Sequence, residues 1–285
     1  WQSGSQQIAV IFAALLGVGL NQYLGKSVMT DWGWRIPFIV GCLIVPFLFY
    51  IRRMLEETEA FNQRKHRPSM SEITRSVASN WQLVLVGMFM VVTTTVSFYL
   101  ITAFTPTYGK TVLQFTAQQS FLVTLLVGIS NLFWLPVMGS LSDKVGRRPL
   151  LLLFSVLMLL TSYPSLNWLV AHPSFAHLIE VELWLSFMYA SYNGAMVVCL
   201  TEIMPAEVRA SGFSMAYSLA TAIFGGFTPA ISSYLIHATG DKAMPGMWLS
   251  AAVACGLIAA LALPAIQRLN SNRAGTVPSG SAVEP

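Results

Sequence analysis

Eight stretches of this chain are each apolar over most of a membrane-crossing length, and that pattern constrains its fold more than any other feature. They run at about 5–24, 34–50, 83–105, 121–138, 150–166, 183–203, 214–236 and 248–265. A hydrocarbon core about 30 Å thick needs roughly 20 apolar helical residues. Barrel strands would instead alternate over about ten residues, so helices are expected throughout. With 10% charged residues against 55% hydrophobic, the chain cannot cover a globular surface, since soluble domains carry about 25%. The expectation is an all-α polytopic membrane protein with membrane lipid as its surroundings. Disorder, coiled coil, nucleic-acid binding and an ordinary soluble enzyme are all poor fits.

The net charge of +4 matters less than where the basic residues fall. Twelve Lys and Arg lie between the second and third spans, in the fourth–fifth and sixth–seventh loops and in the C-terminal tail. Lys26, Arg35, Lys110 and Lys242 lie on the other side. The excess of basic residues in cytoplasmic loops then puts both chain ends in the cytoplasm of a bacterial-type inner (plasma) membrane. Cys42, Cys199 and Cys255 all fall in apolar stretches without metal-ligand spacing and read as small buried hydrophobes. The chain opens on Trp1, with no charged segment before a short apolar core, so no signal peptide is expected, and it reads as a chain cut at its start.

The longest connection, between the second and third spans, is charged and polar, and its 71–79 run is compatible with a short surface helix. Two spans precede it and six follow, and a six-helix bundle after a charged cytoplasmic connection is one half of a 6+6 transporter. The organisation expected is a two-helix remnant of a first half at 1–53, a cytoplasmic inter-half loop at 54–80, a six-helix half at 81–269 and a disordered Ser/Gly/Pro-rich tail at 270–285.

The fourth–fifth loop contains Gly139, Asp143, Gly146, Arg147, Arg148 and Pro149 in the order G-x-x-x-D-x-x-G-R-R-P. Gly139 would let two helices approach, and Asp143 would accept from the N–H groups of a helix N-terminus. Gly146 would permit a sharp turn, and the two Arg would clamp a carboxylate. The sixth span closes on Glu202, Pro205, Glu207 and Arg209. These segments resemble the cytoplasmic signature and tenth-helix terminus of the major facilitator superfamily. The resemblance implies an incomplete facilitator fold, helices five to twelve of twelve. It also implies a cytoplasmic gate in which Glu202 pairs with Arg147 or Arg148, Glu207 and Arg209 extend the network, and the latch opens as the halves rock.

The second span opens on Trp32-Gly-Trp-Arg35-Ile-Pro37 and closes on Arg52-Arg53-Met-Leu-Glu56, which is similar to the metabolite:proton symporter branch. Within that branch the segments 1–7, 189–196 and 216–229 most resemble citrate and tricarballylate carriers. The function implied is proton-coupled symport of a tricarboxylate by alternating access, with a carboxylate and protons as its small-molecule partners. A dicarboxylate, betaine or proline carried by the same branch is the alternative, as is a truncated chain without transport.

Polar residues inside spans are costly and usually face a bundle interior or water. Helical spacing puts Glu182, Ser186, Tyr189 and Asn193 on one stripe, and Ser214, Ser218, Thr221, Gly225 and Thr228 on another. Thr95, Tyr99 and Thr102, then Thr124, Gly128 and Asn131, and finally Gln7 and Asn21 make three more. A substrate cavity lined by Gln7, Asn21, Tyr99, Asn131, Tyr189, Asn193, Tyr217 and Thr221 is the expectation, although hydroxyls serve helix packing equally well. Gly225-Gly226 and Pro229 interrupt the seventh span as either a contact point or a plain kink. No Lys or Arg sits mid-span, so the cation for a tricarboxylate is expected outside this stretch. Glu182 is the candidate proton-coupling group. A membrane enzyme is disfavoured, because H-E-x-x-H and a nucleophile elbow are both absent. Neither a metal nor another cofactor is expected, and an ATP-driven pump is disfavoured by the lack of a Walker sequence.

Overall fold

The computed structural model describes residues 2–54, 78–204 and 209–275. Eight helical segments there are long and apolar enough to cross a membrane. They are α1 (Ser3–Tyr23), α2 (Gly33–Met54), α3 (Trp81–Val112), α4 (Ala117–Val145), α5 (Arg147–Ala171), α6 (Phe175–Ile203), α7 (Arg209–Thr239) and α8 (Met244–Ile266). The expected 71–79 surface helix falls almost wholly outside the described residues, as do Pro205, Glu207 and most of the tail.

Several spans outrun their apolar cores because caps fix the ends. Thr116 and Gln119 form a reciprocal capping box at the start of α4, with Gln119 N–H donating to Thr116 Oγ1 at 3.1 Å and Thr116 N–H to Gln119 Oε1 at 3.0 Å. Ser174 Oγ accepts the His177 N–H at 3.0 Å and starts α6 eight residues before the hydrophobic run. Gly146 ends α4 and opens α5 at φ 100°, a conformation open to glycine.

The contacts order the helices. α1 packs along α4, α4 along α6, α6 against α5, α5 against α8, α8 against α3 and α3 against α7. α3 and α6 are the most buried spans, and Met90, Val91, Val92, Met188, Tyr192 and Met196 between them are sealed from solvent. α2 differs: after Gly33 it has no buried residue. Exposed Phe38, Leu43, Phe47 and Leu48 make it apolar on every side, as suits a helix facing hydrocarbon. Cys42 lies on this exposed helix, whereas Cys199 is buried and Cys255 is half-buried. The reading of all three as buried hydrophobes therefore fails at Cys42.

Two spans are not plain α-helix. α3 is π-helical at Tyr99–Phe104 and Tyr108–Val112, around Thr105-Pro106. α7 is π-helical at Thr221–Gly225, with Gly226 N–H reaching back to Thr221 O at 2.8 Å. Pro106 and Pro229 each follow a widened turn and each withdraw the N–H that an α-helix would aim four residues back.

Candidate functional site

A cavity of about 390 Å³ opens between α1, α4 and α6 toward the end that carries the α4–α5 turn. Its wall includes Gly4, Pro136, Gly139, Asp143, Asn193 and Gly194, and its size falls within the range of small-ligand sites. Asn193 Nδ2 donates to the Tyr189 hydroxyl at 3.3 Å, while its Oδ1 is buried without a hydrogen-bond partner. A polar atom left unsatisfied in an apolar wall is costly, and here it belongs to a residue lining the cavity. The close approach behind this wall depends on Gly194. A Cβ there would meet Gly139 N at 2.9 Å and Leu135 O at 3.2 Å, whereas one at Gly139 would meet nothing nearer than 3.8 Å. The sequence reading credited Gly139 with this approach; Gly194 does more of it.

The remaining expected cavity residues fall in three places. Tyr189, Tyr99 and Tyr217 draw together where α3, α6 and α7 meet. The Tyr189 ring lies 6.0 Å from Phe98, and Tyr217 is within electrostatic reach of both other tyrosines. Beside them Thr95 Oγ1 donates to Thr221 Oγ1 at 3.3 Å, packed on Gly225. Gln7 and Asn131 instead form a sealed bridge between α1 and α4. Asn131 Nδ2 donates to Gln7 Oε1 at 3.2 Å, and Ser186 of α6 donates to Asn131 Oδ1 at 2.8 Å. Both amides are fully buried, so in this conformation they tie three helices together. Asn21 donates to Gly17 O at 2.8 Å and lines a separate groove of about 690 Å³ with Lys110, Trp34 and Gln118, at the opposite end of α1. Several hydroxyls of the expected stripes turn back onto their own helices: Thr124 donates to Ser120 O and Thr228 to Phe224 O, the packing use of Ser and Thr in helices.

At the α4–α5 turn, Arg147 is the centre of a polar network. Its guanidinium pairs with Asp143, donates to Ser142 Oγ at 2.8 Å and to Glu202 Oε1 at 3.2 Å, and Ser142 passes the chain on to Gly139 O at 2.7 Å. The carboxylate of Asp143 thus faces a guanidinium rather than a helix N-terminus. Glu202 pairs with Arg147 and not with Arg148, whose Nε donates to Ala260 O of α8 at 3.4 Å. Arg209 donates to Met204 O at 3.3 Å; among the described residues it forms no ion pair with Asp143 or Glu202, and Glu207 lies outside them. The network therefore ties α4, α5 and α6 to one another.

Glu182 is buried away from the 390 Å³ cavity. Thr105 Oγ1 donates to its Oε1 at 2.8 Å, and Oε2 is without a partner. Leu100, Phe104, Tyr108, Leu166, Leu185 and Pro245 wall it in, leaving a void of about 10 Å³. Glu182 faces α3 as Tyr189 does, Glu182 at Thr105 and Tyr189 at Phe98. Among the described residues no group of His, Cys, Asp and Glu is arranged to hold a metal.

The family profile described as Major Facilitator Superfamily matches residues 1–226 and again 136–282. This chain belongs to the Major Facilitator Superfamily. It is 58% identical over 259 residues to a citrate-proton symporter of Klebsiella pneumoniae, covering 91% of this chain and 58% of the relative. It is 54% identical to a citrate-proton symporter of Salmonella typhi, covering 91% and 60%. Identity to a proline/betaine transporter of Escherichia coli (strain K12) is 27%, covering 95% and 56%. Among solved structures, a D-xylose-proton symporter superposes with a TM-score of 0.70 at 19% identity, covering 90% of this chain and 60% of that one, a likeness of fold. The chain thus spans less than two thirds of the length of these facilitator relatives.

Proposed function

We propose that this chain is part of a secondary transporter that moves citrate or a similar tricarboxylate together with protons by alternating access. One observation carries the reading: identity to two citrate-proton symporters is 58% and 54% over 91% of the chain, about twice the 27% shared with a proline/betaine transporter. The described residues fit a supporting share of such a site. Asn193 offers a neutral hydrogen-bonding group at the wall of a cavity large enough for a small metabolite, with the Tyr189 hydroxyl behind it. The hydroxyls of Tyr99, Tyr217 and Thr221 line the neighbouring α3–α7 face. Arg147, with Asp143 and Glu202, would hold three helices together at the gate end. The α1–α4 contact, bridged by Gln7 and Asn131, would be the seam between the remnant at 1–53 and the six-helix half at 81–269. Glu182 would carry the coupled proton. The basic end would face the cytoplasm, with the protein in the inner membrane and both ends of this chain inside.

The test is uptake of radiolabelled citrate and tricarballylate by vesicles containing the full-length protein under an imposed pH gradient, with labelled proline and betaine run alongside. Accumulation of the tricarboxylates that collapses with a protonophore is the expected result. Accumulation of the zwitterions alone would overturn the substrate assignment.

A further inference from the structure

Resting on the proton-coupled reading, we propose that Thr105 is a positioning residue that passes the protonation state of Glu182 to the backbone of α3. Thr105 is 1% exposed and Glu182 3%, and the one hydroxyl hydrogen of Thr105 has two acceptors in reach. Glu182 Oε1 lies at 2.8 Å and Leu100 O at 3.2 Å. A hydroxyl supplies a single donor and two acceptor positions, a carboxylate only accepts, and a carboxylic acid both donates and accepts. The two states of Glu182 therefore direct the same hydrogen to different places. When Glu182 is ionised, Thr105 donates to Oε1 and the Leu100 carbonyl goes without it. When Glu182 takes up a proton, its own O–H donates to Thr105 Oγ1, and the Thr105 hydrogen is released to Leu100 O.

Leu100 lies inside the π-helical turn Tyr99–Phe104, and the next residue after Thr105 is Pro106, which has no N–H to offer that turn. The hydroxyl of Thr105 thus adds a second donor to the carbonyl that the π-turn pairs with the Thr105 N–H, next in sequence to the carbonyl that Pro106 leaves without one. Helix bends concentrate at prolines and π-turns, so a proton on Glu182 would fasten this turn and its loss would loosen it. The same helix carries Tyr99, the first residue of this turn, and Thr95, about one turn before it, to the face it shares with Thr221 and Gly225 of α7, which connects the turn to the polar groups assigned to substrate.

The surroundings leave Thr105 as the direct partner of Glu182. The void beside the carboxyl admits nothing larger than a water molecule, so substrate does not reach it. From α3, Tyr108 faces it, with a hydroxyl committed to Lys242 O at 2.9 Å. Beyond Tyr108 lies Asp241, held by the Tyr163 hydroxyl of α5 at 2.9 Å and the Ala243 N–H at 2.8 Å. Among the described residues no Lys, Arg or His forms an ion pair with Glu182.

The experiment compares Thr105→Val, which removes the hydroxyl at nearly constant volume, with Thr105→Ser, which keeps it, in the full-length protein in lipid vesicles. Infrared difference spectra recorded across a pH jump identify the carboxylic-acid C=O band of Glu182 by its loss in Glu182→Gln. In Thr105→Val that band is expected to move to higher frequency as its O–H loses its acceptor. Proton-driven citrate uptake is expected to fall on the order of tenfold with an altered pH profile, the scale of one lost hydrogen bond to an ionisable group. Thr105→Ser is expected to restore both. An unmoved band in Thr105→Val overturns the relay whatever uptake does. A moved band with an unchanged pH profile overturns its transmission to transport. Proton-driven uptake that survives Glu182→Gln overturns the coupling role of Glu182 itself, a result separate from the infrared outcome.

Discussion

Gly194 carries a prediction that its neighbour Gly139 does not share. The Cβ of Gly194→Ala would meet backbone atoms of α4 at 2.9 and 3.2 Å, which cannot rotate aside as a side chain would. The helices must separate, at a cost of about 1–3 kcal/mol. Gly139→Ala meets only ordinary van der Waals contact and is expected to leave stability almost unchanged. Thermal melting of the two purified variants in detergent tests this, and equal loss in both would remove the special role of Gly194. A second pair of residues makes a sharper case. Asn131→Leu leaves the Gln7 carboxamide buried without its partner, whereas Ser186 keeps Ser130 Oγ in reach at 3.0 Å, and the stranded amide costs about 1–3 kcal/mol. Adding Gln7→Leu removes the stranded group, so the double variant is expected to be more stable than the sum of the two single losses predicts. Additive losses would show that the bridge does not couple α1 to α4. At the cavity wall, Asn193→Ala is expected to raise the KM for citrate with little change in stability; a lower yield alone would mark Asn193 as packing.

Among the elements, the α4–α5 turn is where reading and structure agree most closely. Gly146 as a turn glycine was legible, because a turn is a local feature, whereas the reading sent Asp143 to a helix N-terminus and the structure pairs it with Arg147. Local rules could not choose between Arg147 and Arg148 for Glu202, since that choice depends on where α6 ends relative to α5. The prediction belongs to this scale. Asp143 and Glu202 are largely exposed, so Arg147→Ala is expected to change stability by less than about 1 kcal/mol while reducing uptake well beyond Arg148→Ala. Arg147→Lys is expected not to restore it, because an ammonium cannot span three acceptors as a guanidinium fork does. Uptake rates set beside melting temperatures for the three variants decide the matter, and equal uptake in Arg147→Ala and Arg148→Ala would unseat Arg147. The π-turns of α3 were not legible. Pro136, Pro164 and Pro264 lie within helices with no such turn beside them, so a proline in a span does not announce one. A spacing of seven keeps Glu182 and Tyr189 on the stripe that faces α3, but the closure of apolar side chains around the Glu182 carboxyl is set by packing and has no local signal.

At the scale of the whole molecule, eight crossings and a lopsided distribution of basic residues can be tested together. Lys144 lies at the end of α4 and Lys242 just after α7, with α5, α6 and α7 between them. Three crossings separate the two positions, so they must lie on opposite faces of the membrane, and in the proposed orientation Lys144 is the cytoplasmic one. With Cys42, Cys199 and Cys255 replaced by Ala, single cysteines at the two positions are expected to respond oppositely to a membrane-impermeant maleimide. Lys242→Cys should react in intact cells, and Lys144→Cys only in inverted vesicles. Reaction of both from one face would break the three-crossing count and with it the path of α5 to α7. Opposite faces in the reverse sense would keep the fold and invert the protein, moving the Arg147 network and the 390 Å³ cavity to the outside. Alternating access can then be argued only for the orientation the labelling selects, because the direction of proton-driven uptake depends on which end of the cavity meets the cytoplasm.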